Sequence, residues 1–210
     1  MDSRITQLHF NSTTISVCQI IDENKFYVID FLTDNDVDRL ATIKNQSRRN
    51  ERLTTRWLLK QMIPNNEGII YNGNGKPFLR NSTSEISISH SSQLVAIAIN
   101  TSGKPIGIDC ETISDRVLKI IHKFASHQEQ EFCNLMKTEC YTLLWSTKEA
   151  LYKLIDEPGV DFIKNLQVDT FAYNTEGGTF TSKYINQTER FFNITFVTIH
   201  NNIISLATEQ

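Results

Sequence analysis

The chain has 210 residues, 40% of them hydrophobic and 21% charged, with a formal net charge of −3. That is enough apolar material for a core, as one large domain or two small halves, and it excludes a disordered chain. The charge balance gives no reason to expect nucleic acid or an anionic membrane as a partner, so any anion site must be local.

The first residues, Met1-Asp2-Ser3-Arg4, lack an apolar signal core, and no segment reaches the roughly 20 apolar residues of a membrane span. A cytosolic protein is expected. Cys18, Cys110, Cys133 and Cys140 show no C-x-x-C spacing, which argues against zinc and against a disulfide framework. Two short β-like runs, residues 14–17 and 26–31, come first. Thr33 then starts a helix with Asp36 in its first turn. A stronger helix is expected over 47–62, with Leu53, Trp57, Leu58 and Met62 at helical spacing and Pro64 beyond its end. After a polar turn containing Gly73 and Gly75, strands are expected at 86–88 and 94–99, joined by Ser89-His90-Ser91-Ser92.

A third strand, 105–108, leads straight into Asp109 and Glu111, which point to one face if the extended backbone continues. Ser114 is expected to cap a helix carrying Val117, Leu118, Ile121 and Phe124. Ser126 and Glu129 spell a capping box for the next helix. A long helix follows over 139–155, ending before Pro158-Gly159, and residues 191–199 and 203–207 read as a hairpin around His200-Asn201-Asn202. The pattern is β-α-β in each half, with no repeat and no Gly/Pro/Ser linker. The class is α+β, as two similar subdomains, 1–104 and 105–210, sharing an interface.

On the long helix, Cys140, Leu144, Thr147, Leu151 and Leu154 form the buried stripe, and Glu149 and Lys153 lie well round from it. Alone, such a pair is a solvated i,i+4 contact worth about 0.2–0.5 kcal/mol. Here Trp145 leans to the same side, which is unusual for a wet face. Two carboxylates placed together at a strand repel, unless a hard divalent cation takes them as ligands. Asp109, Glu111 and Glu149 would supply three, and Lys153 would face the phosphate of a substrate. Arg49, Arg52, Arg56 and Lys60 recur at spacings of three and four, a cationic stripe that suits a phosphate or a basic solvated face. Gly73-Asn74-Gly75-Lys76-Pro77 reads as a hairpin turn, and Ser89 and His90 as structural turn residues or phosphate donors.

Taken in order, G-K-P-x-L from Gly75, I-S-H-S from Ile88, G-I-D-x-E from Gly107 and W-x-x-K-E-A-x-x-K from Trp145 resemble the 4′-phosphopantetheinyl transferases of the larger, monomeric type. The last two motifs are specific as a pair. The resemblance implies transfer of 4′-phosphopantetheine from coenzyme A to a serine of an apo acyl or peptidyl carrier protein. Adenosine 3′,5′-bisphosphate is released and Mg²⁺ is required. It implies a pseudodimer of two α+β halves with the site in the cleft between them. By motif, Asp109, Glu111 and Glu149 are the magnesium ligands, and Glu149 or Glu111, directly or through water, deprotonates the serine. Lys153 meets the pyrophosphate, Ser89 and His90 the coenzyme A phosphates, and Gly75, Lys76 and Pro77 form the turn beside adenine. Arg49 and Arg56 are assigned to the 3′-phosphate and Arg52 is left open. Cys110 stands where the family often has an aliphatic residue. Two rival readings use the same residues: a metal-dependent nucleotide pyrophosphate hydrolase, and a non-catalytic module that binds coenzyme A or a carrier protein.

Overall fold

The computed structural model describes residues 2–26, 31–65, 68–133 and 137–210. Most of the strand expected over 26–31 lies outside them. Contacts divide the chain into two compact units, residues 1–103 and 104–210. Both are α+β.

In the first unit, β1 (Ile5–Phe10), β2 (Thr13–Gln19), β5 (Glu85–His90) and β6 (Leu94–Asn100) form an antiparallel sheet of order β1-β2-β6-β5. Every residue of β6 is buried, the signature of a central strand covered on both faces. Thr33 caps α1 (Asp34–Thr42) in a full capping box with Asp36, and Asn45 caps α2 (Gln46–Met62) by accepting from the Arg48 amide. Trp57, Leu58 and Leu59 of α2 pack with Ile86, Val95, Ile97 and Ile99 of the sheet. A two-stranded ribbon, β3 (Ile69–Tyr71) and β4 (Pro77–Leu79), carries the glycine turn.

In the second unit, β7 (Ile106–Thr112), β8 (Leu166–Val168), β9 (Gly178–Ile185), β10 (Glu189–Ile199) and β11 (Asn202–Glu209) form an antiparallel sheet of order β7-β11-β10-β9-β8. The hairpin turn holds His200 and Asn201 at φ 46° and 60°, the left-handed geometry whose twist matches the flanking strands. The α5 helix (Lys137–Ile155) packs on β7 and β11 and buries Ala150, Leu151 and Leu154 against Phe192, Ile194 and Ala207. Each unit repeats one connectivity. The strand before the helices pairs with the last strand, which pairs with the penultimate one: β2-β6-β5 in the first unit, β7-β11-β10 in the second.

Three expectations need correction. The strand expected to end at 108 continues through Asp109 and Glu111 to Thr112, because β11 supplies ladder partners all along it. The helix expected after Ser114 is a 3-10 turn (Val117–Lys119) followed by the single-turn α3 (Ile121–Phe124). Val117 and Phe124 must both turn inward, and i→i+3 bonds such as Val117 N–H to the Ser114 carbonyl serve the three-residue spacing. Finally, Cys133 and Cys140 form a disulfide. Cys133, at the end of α4 (His127–Phe132), and Cys140 on α5 enter one buried cluster with their Cα atoms 5.3 Å apart, a proximity that linear spacing does not reveal. Among the described residues, no helix is long and apolar enough to cross a membrane.

Candidate active site

The carboxylate group of the second unit is set by a glycine. A Cβ on Gly107 would lie 1.9 Å from the Ala150 carbonyl oxygen and 2.9 Å from the Leu154 nitrogen, so only glycine lets the α5 backbone press onto β7. That approach brings two α5 side chains, two helical turns apart, onto the strand. Lys153 Nζ donates to Asp109 Oδ1 (2.8 Å) and to the Ile108 carbonyl (3.0 Å), and Trp145 Nε1 donates to Glu111 Oε1 (2.9 Å). Glu149 stands one turn from each of them on the same helix.

Asp109 is 4% exposed. Burial, then the neighbouring Asp109 charge, pushes both Glu111 and Glu149 up to about 7, and Glu149 adds further repulsion on Glu111. Lys153 pulls both back down, as does the Trp145 hydrogen bond for Glu111. Glu111 and Glu149 therefore titrate near neutrality and gain from any cation that settles beside them. Among the described residues no three His, Cys, Asp or Glu side chains form a ready-made metal cage. The donor set nonetheless suits Mg²⁺, which keeps several waters and needs only one or two carboxylates plus phosphate oxygens. Cys110 is buried on the opposite side of the strand, away from this chemistry.

The first unit holds a pocket of about 660 Å³. Lys44, Arg48, Arg52, Arg56 and His90 line it, with Tyr71, Gly75 and Pro77. It opens beside the first turn of α2, where the helix dipole favours an anion. Arg52 donates to the Tyr71 hydroxyl at 3.5 Å, and His90 Nε2 lies 3.6 Å from Glu51 Oε2. Arg56 is 3% exposed; its Nε is paired with Asp36 Oδ1 at 2.5 Å, while its NH1 finds no hydrogen-bond partner among the described residues. Gly75 takes φ +85° in a turn held by Asn72 Oδ1, which accepts from the Asn74 and Lys76 amides.

The arginines at 49, 52 and 56 therefore do not act as one stripe. Arg52 and Arg56 line the pocket. Arg49 does not: its guanidinium donates to Glu23 Oε2 (2.9 Å) and to the Leu40 carbonyl (2.8 Å), tying α2 to the segments before it. Lys76 and Ser89 also lie off the pocket lining. Lys76 pairs with Glu85 at 3.5 Å and sits over the Phe78 ring, and Ser89 is buried in β5. Sequence reasoning missed Lys44, Arg48 and Tyr71. The Lys44-Asn45-x-x-Arg48 run around an N-cap asparagine was the available signal for the first two, and Tyr71 had none.

Residues 105–207, which include Asp109, Glu111, Glu149 and Lys153, match the family model of the 4′-phosphopantetheinyl transferase superfamily. Over 125 residues the chain is 32% identical to the 4′-phosphopantetheinyl transferase gsp of Aneurinibacillus migulanus, an alignment covering 56% of this chain and 52% of that protein. In that alignment the chain spans about half the length of the relative it matches.

Proposed function

We propose that the chain is a member of the 4′-phosphopantetheinyl transferase superfamily, whose family model its residues 105–207 match. From that premise we propose that it transfers 4′-phosphopantetheine from coenzyme A to a serine hydroxyl of an apo acyl or peptidyl carrier protein, with Mg²⁺, and releases adenosine 3′,5′-bisphosphate. The observation that carries this reading is the carboxylate group: Asp109 and Glu111 on β7 facing Glu149 and Lys153 on α5, with two of the acids held near pH 7.

Asp109, Glu111 and Glu149 would hold Mg²⁺, which supplies charge neutralisation on the pyrophosphate and on the leaving bisphosphate. A glutamate poised near 7 also suits the general base, because it is partly deprotonated at working pH yet basic enough to take the serine proton, directly or through one water. Glu111 is oriented for either duty by the Trp145 indole. Lys153 is paired with Asp109 as the protein stands. A cation held by Asp109 would weaken that pairing, and the ammonium would then serve the phosphates by stabilising developing charge. The arginine-lined pocket of the first unit suits the adenosine 3′-phosphate, with Arg52, His90 and the unpaired NH1 of Arg56 as donors and Gly75 and Pro77 beside the base.

The test is incubation with Mg²⁺, coenzyme A and a panel of apo carrier proteins, read by intact mass. Gain of one phosphopantetheine on a carrier supports the reading. Loss of coenzyme A without any carrier favours a pyrophosphate hydrolase, and tight coenzyme A binding without turnover favours a non-catalytic module.

A further inference from the structure

The lysine of the K-E-A motif, Lys148, precedes Glu149 but belongs to neither the carboxylate group nor the solvent. It is 0% exposed. Its ammonium makes three hydrogen bonds: to Glu129 Oε2 (2.7 Å), to the Phe124 carbonyl (2.8 Å) and to the Phe162 carbonyl (2.8 Å). Glu129 is itself fully engaged, accepting from the Ser126 amide as a helix cap and from the Val168 amide of β8. Burial pushes the lysine pKa down and Glu129 pulls it back. So expensive a buried charge calls for a reason beyond stability, since an apolar side chain of similar volume packs as well or better.

The two carbonyls indicate what that reason is. They belong to the two residues whose rings enclose Trp145: Phe124 at 5.1 Å and Phe162 at 5.6 Å between centroids. Trp145 in turn donates its indole N–H to Glu111. We propose that Lys148 is a positioning residue for the carboxylate site: its ammonium anchors the backbones of the aromatic pair that clamps Trp145, and Trp145 holds Glu111 in place. The chain of contacts is continuous, from Glu129 through Lys148, Phe124 and Phe162 to Trp145 and Glu111. Each link is a hydrogen bond or a ring contact. One ammonium thereby gathers α3, α4 and the loop after α5 around the indole.

The consequence for catalysis rests on the function proposed above; the consequence for Trp145 does not, and the experiment reads both. In Lys148→Met, of similar length but without charge, the Trp145 indole N–H should exchange with solvent at least about tenfold faster, because the clamp opens locally. Trp57, in the other unit, serves as the internal reference. The kcat per folded molecule should fall about tenfold or more, with KM for coenzyme A nearly unchanged, as expected where a group acting in the transition state is misplaced. Phe162→Leu loosens the clamp while leaving every Lys148 bond in place, so it decides the matter if Lys148→Met fails to fold. It should reproduce the faster exchange and the loss of kcat. A purely structural lysine would lower the unfolding midpoint and leave Trp145 exchange and kcat of the folded protein at wild-type values, and that result overturns the proposal. Absence of transfer by the wild-type protein would instead refute the proposed function, with the indole exchange still deciding the role of Lys148.

Discussion

Replacing Gly107 with alanine adds one methyl group at the point where α5 meets β7. Gly107 sits in ordinary extended backbone, so alanine is conformationally allowed and even restricts the unfolded chain, a gain of about 0.4–1 kcal/mol. The steric side is larger. The new Cβ would stand 1.9 Å from the Ala150 carbonyl oxygen, where ordinary contact begins at 3.4 Å. The obstructing atom is helix backbone, which cannot swing aside as a side chain can, so α5 must lift from the strand by an ångström or more. Overpacking of this kind costs about 1–3 kcal/mol, occasionally more. Net destabilisation of about 1–2 kcal/mol should lower Tm by roughly 2–8 °C for a chain of this size. The functional loss should be greater, because the same lift carries Glu149 and Lys153 away from Asp109. Misplacement by about 1 Å can cost some hundredfold in rate. The assay pairs thermal unfolding with transfer kinetics at a temperature where the variant is fully folded. Wild-type Tm together with wild-type kcat would refute the idea that this contact sets the site.

Three further outcomes are expected. Glu111 and Glu149 rise from an ordinary 4.5 to about 7 in the fold, so their stabilising contribution is complete below about pH 4.5 and is lost as pH climbs through about 7. At 1.36 kcal/mol per pH unit the loss is about 3 kcal/mol for either group alone, and less than twice that together, because both share repulsion from Asp109. Mg²⁺ should therefore raise the urea midpoint more at pH 8 than at pH 6, and an equal effect at both would remove the coupled-carboxylate account. Lys153→Ala removes the ion pair to the buried Asp109 carboxylate at a cost of about 1–3 kcal/mol. It should also slow transfer about a hundredfold, the equivalent of about 3 kcal/mol of lost transition-state contact, and an unchanged rate in the folded variant would make the lysine purely structural. Arg52→Ala should weaken coenzyme A binding about ten- to a hundredfold, and 3′-dephospho-coenzyme A binding much less. Arg49→Ala, its guanidinium being spent on Glu23 and Leu40, should affect both ligands alike, and calorimetry at fixed salt separates the two patterns.

Much of this protein was legible locally. The capping residues Thr33 and Ser126 act at short range through their own backbone neighbours: the expected box at Ser126 is present, and the helix start at Thr33 also closes into one. The helical stripe Cys140, Leu144, Thr147, Leu151 and Leu154 is buried throughout. The His200-Asn201 turn forms the expected hairpin. Where apolar spacing and turn chemistry agreed, the expected elements are present. The failures occur where a distant partner decides. The extent of β7 was set by β11, almost a hundred residues later, and the folding of residues 114–124 by the need to turn Val117 and Phe124 into one core.

The sequence by itself determined the α+β class, the helices α1, α2, α4 and α5, the strands β2, β5, β6, β10 and β11 with the start of β7, and the four acid and base residues that share a face of the second unit. Each of these follows from periodicity or from a motif with fixed spacing. Only the tertiary structure decided what each charged group does, because a charge is assigned by its neighbours in space. Arg49 and Arg56 look alike on a helical wheel, yet one fastens Glu23 and the other is buried on Asp36 beside the pocket. Lys148 and Lys153 stand five residues apart on one helix. The first is sealed in a buried ion pair, the second reaches Asp109, and the contact at Gly107, where helix backbone meets strand, fixes how α5 lies on β7.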